Sequence, residues 1–434
     1  MATVTIRKTE TLKGKVCAPP SKSYTQRMLI ASSLSAGTSK IFAPLLSDDT
    51  KATLRAVQAL GAKVNIMKSC WIVEGVSTLI GAEKPIDCGE SGATLRFMIP
   101  VAALAVKPSV FQLGKSLRKR PIDPLLKSLK ELGVDTSLEK GGGKTTIRVQ
   151  GGGIAGGKTT IRGDVSSQFI SGLMFACPLA RQDTEITLTT SLESKSYVQM
   201  TREVLIKHCI NVSVSKDFNK IYIPSAQTYK PCDGIVSGDF SSAAFLLSAA
   251  AITKSDVRIA NLDYSSVQGD KAIIGILRRM GVPGKVCSKQ IEIKGTGNPL
   301  KTVDVNARDT PDLVPAFAAL ACFADGTSTI KDAKRLRLKE SDRLASLYLE
   351  LRKMGANITV DKNNLIIKGP CELHGTEINP HKDHRIAMAF AVAAIRAKSE
   401  TIIHNAECVK KSYPRFFIDL SKLGVDVVGG KFAR

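Results

Sequence analysis

Aromatic residues are scarce, at 5% of the 434 positions, with a single tryptophan. So few flat side chains leave little on which unpaired bases could stack, which argues against a single-strand nucleic-acid binder. No two of the ten cysteines lie within four residues of each other. The short spacings of zinc ligands are therefore missing, and the thiols read as reduced side chains in a reducing compartment. His381 and His384 form an HxxH without an acidic ligand pattern beside it, so no metal is expected. Long apolar runs are lacking too: stretches such as 386–395 are far too short to span a bilayer. Residues 1–8 have neither the apolar core of a secretion signal nor transit-peptide character. The expectation is a soluble cytoplasmic protein.

Negative charge is the other shortage. Lys and Arg outnumber Asp and Glu by 62 to 39, a net charge of +23, which favours anionic partners: nucleic acid, membrane lipid or phosphorylated metabolites. The basic residues are spread along the chain rather than gathered in a tail, which weakens the nucleic-acid reading. An RNA-binding alternative would need a basic stripe over a wide surface and affinity that falls steeply with salt.

What is present is repetition. An amphipathic segment ending in glycine, followed by an alternating strand, recurs at Leu60-Gly61-Ala62, Leu132-Gly133-Val134, Met280-Gly281-Val282, Met354-Gly355-Ala356 and Leu423-Gly424-Val425. A degenerate copy stands at Cys209-Ile210-Asn211-Val212. Glycine suits the left-handed residue that ends a helix. Each copy also has an earlier, more apolar helix, predicted over 21–34, 91–105, 166–179, 239–252, 311–323 and 384–397. Six βαβαββ units of about 70 residues follow, an α/β (α+β) fold of two lobes with three pseudo-threefold units each. The sixth unit runs out of chain at Arg434, and residues 3–7 supply a spare strand for it. The lobes are therefore expected as 1–20 plus 236–434, carrying both termini, and an inserted 21–235, with the active site in the cleft between them. Turn-formers at Pro19-Pro20 and 231–238 mark the crossings.

The stretch Arg335-Leu336-Arg337-Leu338-Lys339-Glu340-Ser341-Asp342-Arg343 packs charges of both signs just before an amphipathic run. Alone, it is an ordinary solvated helix start. Five other stretches, however, place similar groups at helix starts: Lys22, Ser23 and Arg27; Arg96; Ser166, Ser167 and Gln168; Asp312; His384 and Arg385. Open helix N-termini carrying cations suit a ligand with several negative charges. Gly152–Thr159 fits GxxxxGK(S/T), but residues 159–163 read as a strand with no helix to open, so an ATP loop is not expected. With the near-duplicate at 142–148 it reads instead as two strands of a glycine-turned hairpin.

These motifs occur in a recognisable order. Ser21-Lys22-Ser23-Tyr24-Thr25-Gln26-Arg27, Cys88-Gly89-Glu90-Ser91-Gly92-Ala93-Thr94-Leu95-Arg96, Arg118-Lys119-Arg120-Pro121-Ile122 and Ser166-Ser167-Gln168-Phe169 precede the 335–343 stretch. Asp383-His384-Arg385-Ile386-Ala387-Met388 and Lys411-Ser412-Tyr413-Pro414 follow it. Together they resemble the 3-phosphoshikimate 1-carboxyvinyltransferase (5-enolpyruvylshikimate-3-phosphate synthase) family over essentially the whole chain. The resemblance implies addition–elimination between shikimate 3-phosphate and phosphoenolpyruvate, without cofactor. It places Lys22, Ser23, Arg27, Ser166, Ser167, Gln168, Ser194, Tyr197, Asp312 and Lys339 on shikimate 3-phosphate. It places Lys22, Gly92, Arg96, Arg120, Gln168, Arg343, Arg385 and Lys411 on phosphoenolpyruvate. Asp312 is implied as proton acceptor and Glu340 as proton donor, with Lys22 also in the catalytic set. No nucleic acid or membrane partner is implied, and a monomer is expected.

Three positions depart from the common family pattern: Glu90 and Arg335 where Asn is frequent, and Ala93 beside Gly92 where Thr is frequent. Glu90 is expected to add negative charge beside the anion site. The related cell-wall carboxyvinyltransferases carry a Cys in the loop corresponding to 111–124, and this chain has none there.

Overall fold

The amphipathic and apolar runs fold as helices because their nonpolar positions recur at helical spacing and polar side chains cap most of their starts. The computed structural model describes residues 2–430. Among them are twelve α-helices: α1 Lys22–Ser33, α2 Asp48–Ala59, α3 Gly92–Ala102, α4 Asp123–Glu131, α5 Ser167–Ala176, α6 Lys195–Lys207, α7 Phe240–Ala251, α8 Ala272–Arg279, α9 Val314–Ala321, α10 Arg343–Lys353, α11 His384–Ala394 and α12 Phe416–Lys422. The odd-numbered helices are the six expected apolar ones. All of α7 and all of α11 is buried.

The predicted helices are trimmed at their ends, two of them for visible reasons. Pro178 cannot donate to the helix ladder, so residues Cys177–Leu179 tighten into a 3₁₀ turn after α5. Residues 311–313 form a turn, so α9 begins at Val314 with Asp312 just ahead of it.

The repeated glycines sit where the pattern put them. Gly61, Gly133, Gly281, Gly355 and Gly424 have φ between 80° and 116°, at the ends of α2, α4, α8, α10 and α12. In the degenerate copy Cys209 itself takes this conformation, with φ 61°.

The strands form six mixed sheets, one per repeat. In the second, Ile86–Asp87 runs parallel to Ser109–Gln112, which pairs antiparallel with Lys144–Val149, itself in a hairpin with Thr136–Gly141. The third repeats this order with Gly157–Ile161, Thr184–Leu188, Lys220–Ile223 and Ser213–Val214. This corrects the hairpin reading of 142–163. Lys144–Val149 and Gly157–Ile161 lie in different sheets, and the glycine-rich 151–157 stretch is the passage between repeats. Gly157–Ile161 is a strand, so no phosphate loop opens a helix there.

Three strands reach their sheets from far along the chain. Val4–Ile6 lies between Thr401–Ile403 and Val427–Gly429, completing the sixth sheet as expected. Thr11–Cys17 runs parallel to Lys254–Ala260, and Gly234–Ile235 parallel to Gly37–Phe42. Both of these were missed, because parallel pairing leaves no turn signal in the local sequence.

Contacts divide the chain into two compact units, Met1–Pro20 with Ser237–Arg434, and Ser21–Val236. Met1 and residues 431–434, including the expected end of the sixth repeat at Arg434, lie outside the described residues. Each unit has its own apolar core. In the first, α7, α9 and α11 pack against one another in all three pairs. Pro20 pairs with Gly238, and the Asp239 amide donates to the Pro19 carbonyl at 2.8 Å, so both crossing segments are tied together. Among the described residues, no helix is long and apolar enough to cross a membrane.

The left-handed helix ends give a direct test. Cys209 is exposed, so Cys209→Gly removes a strained backbone at little packing cost. It should raise stability by about 0.5–1 kcal/mol. A Cβ at Gly424 would find ordinary room, 3.6 Å from the Thr11 carbonyl oxygen. Gly424→Ala should thus lose about 1 kcal/mol from backbone strain alone. Urea unfolding of the three proteins checks both signs.

Candidate active site

In the unit Met1–Pro20 with Ser237–Arg434, the charged groups converge on one guanidinium. Arg343, the first residue of α10, is 1% exposed. Its Nε donates to Asp383 Oδ2 at 2.7 Å, Nη1 to Asp312 Oδ1 at 2.8 Å, and Nη2 to Glu340 Oε2 at 2.8 Å. Burial alone would make that cation less stable, but Asp383, Glu340 and Asp312 outweigh it and raise its pKa above the ordinary arginine value. Asp383 is fully buried and also caps α11, accepting from the Arg385 amide at 2.9 Å.

Asp312 is held by three cations: Arg343, Lys339 Nζ at 3.3 Å and Arg385 Nη2 at 3.4 Å. Burial pushes its carboxyl up, yet Arg385, Lys339 and Arg343 prevail and keep it well below the usual carboxylate range. Burial lowers Lys339 to about 8, against the pull of Asp312. Arg385 is fixed by its Nη2 bond to Ser241 Oγ at 2.8 Å and by Nη1 bonds to the Ser241 and Asp312 carbonyls. Lys411, at the end of the 3₁₀ helix Ala406–Lys411, has Nζ 3.8 Å from Glu340 Oε1.

The 335–343 stretch is not one helix mouth. A 3₁₀ helix, Lys334–Leu338, ends at an extended Lys339, and α10 then starts from its Asp342 cap. The break turns Lys339 and Glu340 toward Asp312 and Arg343. Arg335 lies in that 3₁₀ helix.

In the unit Ser21–Val236, a second array spans three helix starts. Ser21 caps α1, Ser91 caps α3 and Ser166 caps α5, each accepting from a backbone amide. Lys22 Nζ meets Asp49 Oδ2 at 2.8 Å, with both side chains largely buried. Arg96 Nη1 donates to Gln168 Oε1 at 2.9 Å and contacts Ser166 Oγ at 3.4 Å; its Nη2 reaches the Pro121 carbonyl at 3.1 Å. Gly92 stands against the same group of cations, since a Cβ there would come 3.1 Å from Arg120 Nη1 and 3.6 Å from Arg96 Nη1.

Arg27 is 2% exposed. It donates to Thr201 Oγ1, the Ser23 carbonyl and the Tyr197 carbonyl, and lies 5.0 Å from the centre of the Phe97 ring. Burial lowers its pKa to about 10, so it stays charged at neutral pH. Ser194 and Tyr197 stand at the start of α6, where Ser194 takes a left-handed φ of 58°; Ser167 is buried in the first turn of α5.

Several contributors had no assigned role from sequence. Asp49, the partner of Lys22, looked like any acidic residue in a helix's first turn. Asp383 was visible in the motif, but only the fold shows it beneath Arg343. Ser241 is 144 residues from Arg385 and carries no motif. Glu90 also has a structural part beyond its charge. Its carboxylate accepts from the Ser116 and Leu117 amides at 3.0 Å and from the Ser116 hydroxyl, so it holds the 3₁₀ turn Leu117–Lys119 that leads to Arg120. Among the described residues, no group of three or more His, Cys, Asp or Glu is placed to hold a metal ion.

Residues 6–420 match the family model described as EPSP synthase (3-phosphoshikimate 1-carboxyvinyltransferase). The 3-phosphoshikimate 1-carboxyvinyltransferase of Methanocaldococcus jannaschii is 42% identical over 97% of this chain and 98% of its own length. That of Clostridium perfringens is 40% identical over 95% of this chain and 96% of its own length. An EPSP synthase structure from Acinetobacter baumannii, 26% identical, superposes with a TM-score of 0.83 and covers 99% of this chain and all of that one. By sequence and by fold, the chain belongs to the EPSP synthase (3-phosphoshikimate 1-carboxyvinyltransferase) family.

Proposed function

We propose that the chain transfers the enolpyruvyl (1-carboxyvinyl) group of phosphoenolpyruvate to the 5-hydroxyl of shikimate 3-phosphate and releases inorganic phosphate. This is a shikimate-pathway step toward chorismate and the aromatic amino acids. The observation that carries the reading is the set of carboxylates and cations around Arg343. The reaction needs a base, an acid and charge stabilisation together. In the first half, the 5-hydroxyl oxygen bonds to C2 of phosphoenolpyruvate, its proton goes to a base, and C3 gains a proton. In the second, C3 loses a proton as the C2–O bond to phosphate breaks, which restores the double bond.

Asp312 is the base in this reading, since the cations that hold it ionised leave it able to accept a proton. Glu340 is the acid at C3, and Lys22 joins them in catalysis. Lys22, Arg120, Gln168, Arg343, Arg385 and Lys411 hold phosphoenolpyruvate, with Arg96 behind Gln168 and Gly92 leaving room. Ser166, Ser167 and Ser194 take the shikimate phosphate, with Lys22, Gln168, Asp312 and Lys339 completing that subsite. Ser23 and Arg27 take its carboxylate, and Tyr197 packs on its ring. The bonds Arg27 makes within its own unit give it a second job, holding α1 to α6. The enzyme works as a cytoplasmic monomer without metal or cofactor.

Phosphorus NMR of the protein with both substrates should show inorganic phosphate and the enolpyruvyl ether appearing together. Phosphate release that does not require shikimate 3-phosphate would refute the reading. Asp312→Asn keeps the shape and loses the base. It should lower kcat by roughly 100-fold or more while both KM values stay within a few-fold. Gly92→Ala should raise the KM for phosphoenolpyruvate about tenfold by displacing Arg120, with the KM for shikimate 3-phosphate little changed. Steady-state kinetics separates the two effects.

A further inference from the structure

Glu350 lies two turns beyond Arg343 on α10, and the proposed chemistry gives it no part. It is nevertheless 1% exposed, and a carboxylate is buried at such a depth only where donors surround it. Four contacts do so. Lys353 Nζ reaches its two oxygens at 2.9 and 2.8 Å, the Asn379 amide donates to Oε2 at 3.2 Å, and His381 Nε2 donates to Oε1 at 3.0 Å. Lys353 is a neighbour on the same helix. Asn379 and His381 belong to the segment that leads into α11.

That segment is bent in an uncommon way. His381 and Lys382 both carry positive φ, 52° and 59°, immediately before Asp383 and Arg385. Two consecutive non-glycine residues in the left-handed region persist only where surrounding contacts impose them. Helix α10 supplies those contacts at two levels: Arg343 bonds Asp383 from its first turn, and Glu350 bonds Asn379 and His381 further along.

From this we infer that Glu350, through Asn379 and His381, is a positioning residue for Asp383 and Arg385. It holds the strained 381–382 turn so that Arg385 meets phosphoenolpyruvate in the required orientation. The inference rests on the proposed role of Arg385 in holding that substrate.

The test compares Glu350→Gln, His381→Asn, Lys382→Gly, the Glu350→Gln/Lys382→Gly double variant and Arg385→Ala by steady-state kinetics. Gln keeps the size of Glu350 but loses the charge that gathers these donors. Asn at 381 tolerates the left-handed backbone, and its amide is too short to reach Glu350. Glycine at 382 removes the strain of one of the two left-handed residues, so less is asked of the clamp.

Glu350→Gln should raise the KM for phosphoenolpyruvate about tenfold and leave that for shikimate 3-phosphate within twofold. His381→Asn should give a smaller rise, about threefold, with the same selectivity. The Lys382→Gly change should restore part of the loss in the double variant. A merely structural role for Glu350 would lower the amount of folded enzyme or both affinities alike, without rescue by Lys382→Gly; that result overturns the inference. If Glu350→Gln does not fold, His381→Asn decides alone: a KM for phosphoenolpyruvate equal to wild type refutes the clamp. Arg385→Ala separates the two levels of argument. If it fails to raise the KM for phosphoenolpyruvate, the assignment of Arg385 falls, and the inference with it. If it does raise it and Glu350→Gln does not, only the inference falls.

Discussion

One buried guanidinium fixes the charge state of its surroundings. Arg343 meets Asp383, Asp312 and Glu340 through three different nitrogens, in a place where an unbalanced charge of either sign would be costly. Breaking a buried ion pair from one side costs about 3–5 kcal/mol, and here three carboxylates share the cation. Arg343 is therefore fixed, and it helps to set the charge states of Asp312 and Lys339. Asp312 is kept ionised against its own burial, while burial brings Lys339 down to about 8 despite the pull of Asp312. A carboxylate able to accept a proton thus stands beside an amine able to hold an anion, and the same geometry produces both.

The other unit holds one of its cations differently. Lys22 meets Asp49, but Arg27 leans on a hydroxyl and two carbonyls. Neutral acceptors satisfy N–H donors without cancelling charge, so the positive field remains available to an anionic substrate. Glu90 holds the backbone of the turn that carries Arg120.

The fold was legible wherever periodicity and local turn chemistry decide it. Six apolar helices, six amphipathic ones and five glycine stops follow from spacing, and Cys209 adopts the stop conformation even without glycine because its neighbours impose the same exit. The strands Thr11–Cys17 and Gly234–Ile235 were not legible, because their partners are set by closure of sheets over more than 190 residues. The cations of the site were visible as motifs at helix starts. Asp49 and Ser241, which hold Lys22 and Arg385, were invisible because their importance lies in a contact and in nothing about their own sequence neighbourhood.

The account depends on Lys339 being charged when substrate arrives, and burial makes that charge conditional. The amine carries its proton below about 8 and loses it above. The most direct measurement is the pH dependence of kcat/KM for shikimate 3-phosphate, which reports groups of the free enzyme. The wild-type protein should show an alkaline limb near pH 8. In Lys339→Arg, where the side chain stays charged, that limb should move beyond about pH 10, whatever the absolute rate. An alkaline limb at the same pH in both proteins would contradict the account.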